Sequence, residues 1–100
     1  MASQPLVDRW FDLTREHMPT IAFNRGWPVH LDHCFQRILL DNAVGAKWNE
    51  DIPAPAYRNA PDEVLAQAIA LGEAVVAGEE DLAALNENSL AWRGKAPARV

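Results

Sequence analysis

Apolar side chains recur at helical spacing in four separate stretches of this chain, and proline or glycine stands near the borders of each. A helix turns about 100° per residue, so residues three or four apart share a face, whereas a half-buried strand alternates. No alternating run is present. The pattern predicts an all-α, compact four-helix domain with a long Pro-containing loop between helices two and three.

Helix one is expected from Ser3 to about His17. Ser3 suits an N-cap and Pro5 the first turn. Leu6, Val7, Trp10, Phe11 and Leu13 then fall on one side, and Asp8, Arg9, Asp12, Arg15 and Glu16 on the other. Met18-Pro19 should end it, because a residue before proline avoids the helical region. Thr20 to Trp27 reads as a connector, with Ile21 and Phe23 as anchors to the core. Pro28 opens helix two, and Gly45 stops it after Val44. Leu31, Phe35 and Ile38 line one flank of that helix, Val29 and Leu40 the opposite flank, and Leu39 the back. A helix apolar on more than one side is packed on more than one side, so helix two is expected at the centre.

Ala46 to Ala60 has no helical period. A loop this long needs pins or a function, and Trp48 and Tyr57 are the evident pins. Asn59-Ala60-Pro61-Asp62-Glu63 starts helix three, with Asn59 or Ala60 as cap and two acids at the positive end of the dipole. Gly72 lies on its apolar face, where a close neighbouring backbone would offset a cost of about 1 kcal/mol against alanine. Gly78 breaks the chain before helix four, which runs to about Arg93. The short link implies an antiparallel hairpin of helices three and four.

One hundred residues suffice for one domain, residues 1–100. A chain of that size buries roughly 60–68% of its unfolded surface. Alanine inflates the apolar count, so the core leans on large residues such as Trp10, Phe11, Phe23 and Phe35. The net charge is −5, and no basic run exists. Nucleic-acid binding is therefore not expected, since it needs Lys/Arg to displace counterions. Arg93, Lys95 and Arg99 form only a local basic tail, expected to be solvated. A single cysteine forms no internal disulfide and suits a reducing, cytoplasmic setting. No leader segment or membrane-length apolar run is evident.

The densest chemistry lies between His30 and Asn42. Wound as a helix, this segment puts His30, His33, Cys34, Arg37 and Asp41 on one stripe. Imidazole and thiolate suit zinc, with a further ligand from Asp41, His17 or Glu50. Helical zinc pairs ordinarily use histidines four apart with a glutamate, and that motif is missing. No metal or cofactor is expected. Cys34 beside two histidines and Arg37 also has the makings of an activated thiol, but adjacent turns of one helix aim a base poorly. Arg37 and Asp41, four apart, read most simply as a surface ion pair. Under a roof of Trp48 and Tyr57, however, the same stripe becomes a pocket for a small anion, with Arg37 and Arg58 as charge partners. Asn86, Asn88, Ser89 and Arg93 make a polar patch on helix four that reads as solvent-exposed.

Two functions follow as expectations. The first is a small cytoplasmic helical module acting by protein–protein interaction or self-association, with a protein partner or homo-oligomer through its tryptophan edges or the face of helices three and four. The second is a small-ligand or metal site, catalytic or not, built from His30, His33, Cys34, Arg37 and Asp41 with Trp48, Tyr57 and Arg58.

Overall fold

A computed structural model describes residues 3–95. Among these the chain is all helical, with no strand. It runs α1 (Gln4–Phe11), a π-helical segment (Asp12–His17), α2 (Met18–Arg25), α3 (Asp32–Val44), a 3-10 turn (Trp48–Glu50), α4 (Ala56–Asn59), α5 (Asp62–Val76) and α6 (Leu82–Trp92).

The first helix does not stop at Met18. The chain stays helical through Pro19 to Arg25 and ends at Gly26, whose φ of 64° gives the left-handed C-cap. The reason lies in the preceding π segment. Proline has no N–H to donate and its ring crowds the carbonyl four residues back, here that of Arg15. A π turn changes the hydrogen-bond register before the ring arrives, and the Met18 N–H donates to the Leu13 carbonyl five residues back. Val7, Trp10, Leu13, Thr14, Met18 and Ala22 are thereby all buried along one continuous rod. Phe23 is no core anchor: one residue past Ala22 turns its side chain away from the core, and it is 93% exposed.

Helix two begins later than Pro28. Residues 28–31 are not helical, and Leu31 takes the extended N-cap conformation before α3. This course lets Val29 and Trp27 pack on the core, and Trp27 meets the edge of Phe35 with ring centroids 5.7 Å apart. Asp32 then supplies the first-turn acid, its Oδ1 accepting from the His33 N–H at 2.8 Å.

α3 is the central helix. Phe35, Ile38, Leu39, Leu40 and Asp41 are all buried, and the helix touches α2, the π segment, the 3-10 turn, α5 and α6. α5 and α6 do not form a hairpin against one another. They barely meet, and each packs on α3 instead. The N-cap of α5 is Pro61, with no side-chain cap, so neither Asn59 nor Ala60 plays that part. Asn59 instead donates to the Pro53 and Pro55 carbonyls within the loop. Asp81 does cap α6, accepting from the Ala83 N–H at 3.0 Å.

Gly72 of α5 faces side chains rather than a backbone. A Cβ there would stand 2.6 Å from Leu13 Cδ2 and 2.9 Å from Leu39 Cδ1. The glycine lets α5 approach the π segment and α3 together. The 46–60 stretch is pinned as its rings imply: Trp48 and Tyr57 both pack on the core while remaining half-exposed. Among the described residues no helix is long and apolar enough to cross a membrane.

Candidate functional site

Where α3 meets α6, the interface changes character along its length. On α6, Leu82, Leu85 and Ser89 share one buried face at helical spacing. The first two enter the apolar core, and Ser89 meets the polar end of α3. There Asp41 is 0% exposed and accepts four hydrogen bonds. The Ser89 hydroxyl donates to Oδ2 at 2.6 Å, Arg93 Nε to Oδ2 at 2.7 Å, Arg93 Nη2 to Oδ1 at 2.9 Å, and the Trp48 backbone N–H to Oδ1 at 2.9 Å. Four bonds use the acceptor capacity of a carboxylate. Asp41 therefore has no lone pair left for a metal or a substrate. The Arg93 guanidinium is held above its ordinary range, chiefly by its hydrogen bond to Asp41, with burial opposing and the charges of Asp41 and Glu50 assisting.

Three sequence expectations are corrected here. Arg93 is no solvated tail residue; Lys95 is exposed, and Arg99 lies outside the described residues. Of the Asn86–Arg93 patch only Asn88 is exposed; Asn86 and Arg93 are half-buried and Ser89 is buried. Arg37 Nη2 donates to Asn86 Oδ1 at 2.9 Å, and Asn88 donates to Asn42 at 3.2 Å. Asn42 in turn donates to the Leu85 carbonyl at 2.9 Å. Nor does Arg37 pair with Asp41. Its Nη1 donates to Ser89 Oγ at 2.6 Å. The Ser89 proton is given to Asp41, so a lone pair faces Arg37. Arg37 thus enters no ion pair among the described residues. Both of its direct partners are neutral.

Above this network lies a cleft of about 460 Å³, walled by the π segment and α1 on one side, α3 below, and the 48–57 stretch opposite. His33, Arg37, Trp48 and Tyr57 line it, as does Arg93. So do Arg15 and Gln36, which sequence reasoning passed over. Arg15 stands four residues after Phe11, on the same face of the rod, and so reaches the cleft rim beside that ring. There its guanidinium covers the Phe11 ring at 3.7 Å from the centroid, and its Nε is 3.9 Å from Asp32 Oδ2. Gln36 donates to Thr14 Oγ1 at 3.0 Å. Among the described residues no aspartate or glutamate lines the cleft.

The rest of the predicted stripe is dispersed. His30 precedes α3 and is exposed, so the spacing that grouped it with His33 and Cys34 does not exist. It lines a second, apolar cleft with Pro19, Phe23 and Trp27. Cys34 is half-buried and lines neither cleft. Arg58 is exposed, 5.9 Å from the Tyr57 ring centroid, in a neighbouring shallow groove. Among the described residues no three His, Cys, Asp or Glu side chains converge as metal ligands.

One signal for Arg93 was present in the chain. Arg37 and Asp41 are four apart on one helix, and Ser89 and Arg93 are four apart on another. Two such ladders complement each other when the helices pack side by side. No family model matches this chain, and neither a curated protein nor a solved structure shows significant similarity to it.

Proposed function

We propose that this protein is a small helical binding domain that holds an organic anion in the cleft over α3. One observation carries this: the lining includes Arg15, Arg37 and Arg93 but no acid, in a chain whose net charge is −5. Arg93 is neutralised by Asp41, whereas Arg37 has only neutral partners. A guanidinium with donors to spare is suited to a carboxylate or phosphate. The volume falls in the range of small-molecule sites, about 300–1,000 Å³. Binding is favoured over bond-making chemistry, because Cys34 is away from the cleft and the Ser89 proton is already given to Asp41. The single thiol suits a cytoplasmic setting.

The test is a titration of the full chain with acetate, phenylacetate and phosphate at constant ionic strength, followed by NMR. Saturable shifts should centre on Arg37, Trp48 and Tyr57, and Arg37→Gln should weaken the binding about tenfold or more. Shifts that never saturate, or that survive Arg37→Gln unchanged, would overturn the proposal.

A second reading, self-association, is favoured by Phe23. This ring is 93% exposed beside Pro19, Trp27 and His30 in the second cleft. An apolar patch finds an equally apolar surface in a second copy of the chain, in a two-fold arrangement. So small a patch falls short of the roughly 800 Å² per partner of a stable complex, so the dimer is weak. Sedimentation velocity should show a concentration-dependent shift that Phe23→Ser abolishes without changing the fold. A monomer at every concentration would exclude it.

A further inference from the structure

The cleft has more features than an anion alone would need. Resting on the anion-binding proposal, we infer that its ligand is a monocarboxylate carried on an aromatic ring, with the carboxylate on Arg37 and the ring against Trp48. The charge comes from counting partners. Arg93 is cancelled by Asp41, which it grips through two nitrogens. Arg15 is drawn toward Asp32 and is spread over the Phe11 ring. Of the three, Arg37 alone enters no ion pair among the described residues, so one negative charge on the ligand balances the site. A dianion would leave a charge without a full partner in a half-buried position.

The ring follows from the walls. Phe11 is already occupied, by Arg15 on its face and by the edge of Tyr57 at 5.0 Å. Trp10 is 1% exposed and offers little surface. Trp48 differs from both. It packs on the core, but among the described residues no ring or guanidinium stands against it. Among the described residues its indole N–H has no protein acceptor, and no side-chain nitrogen there is buried without a partner. That N–H therefore opens to solvent. A half-exposed indole lining the same cleft as a guanidinium with only neutral partners matches a flat ring bearing a short acid arm. A hydrated inorganic anion gains nothing from such a wall, since its affinity comes from polar contacts.

The experiment compares phenylacetate, acetate, phenylacetamide and inorganic phosphate on the unmodified full chain by calorimetry and NMR. Phenylacetate should bind at least about tenfold tighter than acetate, through burial of its ring. It should exceed phenylacetamide by about tenfold or more, through its charge. The Trp48 indole N–H resonance should move on binding. Trp48→Leu should abolish the advantage of phenylacetate over acetate. Equal affinities for phenylacetate and acetate, or phosphate binding tightest, would overturn the aromatic acid and leave anion binding standing. Phenylacetamide matching phenylacetate would overturn anion binding itself, and no binding by any of the four would overturn both. The ligand series needs no variant, so a poorly folded Trp48→Leu does not remove the test.

Discussion

Asp41 is the residue on which α3, α6 and the 46–60 stretch depend together. It is buried and ionically paired, and it is bonded to one group from the loop, to Ser89 of α6 and to Arg93, the C-cap of that helix. A buried pair adds modest net stability, because desolvating two charges offsets most of their attraction. Breaking one is a different matter, because the surviving charge stays in place without compensation. Arg93 is 16% exposed and Asp41 not at all, so truncating Arg93 leaves the more deeply buried partner alone. Arg93→Met should destabilise the protein by about 3–5 kcal/mol, read as a fall in the urea midpoint. A loss under about 1 kcal/mol would mean that the pair behaves like an exposed one. Neither member of this pair was legible as such in the sequence. Asp41 has a nearer candidate in Arg37, and the choice between them is made by where α6 lies.

At the scale of elements, the helical stretches were legible and several of their borders were not. Periodicity reports which residues share a face, and the buried faces of α1, α3 and α5 follow it closely. Borders depend on finer competition. Met18-Pro19 carries a genuine stop signal, yet a helix can continue past proline if the preceding turn changes register, as the π segment does here. Pro28 carries a genuine start signal, yet the contacts of Trp27 and Val29 favour an extended lead into Asp32. The second of these shifts alters the site, because it removes His30 from α3 and from the cleft.

Gly72 shows the same dependence in reverse. Its place on an apolar face signals a close neighbour, and the neighbours are Leu13 of the π segment and Leu39 of α3. Even a Cβ there would require both leucine side chains to shift. Branched atoms beyond it would have no room, so Gly72→Val should destabilise by about 1–3 kcal/mol despite its better helix propensity. Each kcal/mol should lower the melting temperature by about 4–8 °C, which a thermal melt followed by circular dichroism would register. A Tm at or above that of the parent would show that the three segments can separate there at little cost.

Across the whole molecule, what could be read from the chain was class and centre: helices throughout, α3 in the middle, and an irregular stretch held by Trp48 and Tyr57. These follow from burial, which is a one-dimensional property once a residue is apolar and the period is known. The stripe from His30 to Asp41 was a one-helix projection, and a projection treats every residue on a face as available. In the folded chain its members meet different fates. Arg37 and His33 face the cleft, Asp41 is saturated beneath it, and Cys34 and His30 lie elsewhere. Polar partners are chosen by direction and distance within about 3 Å, and those are set only when separate helices come together. Hence the all-α class and the central helix were already decided by the spacing of apolar residues. The pairing of Asp41 with Arg93, the neutral partners of Arg37 and the cleft they border were decided by the packing of α6 and the loop on α3.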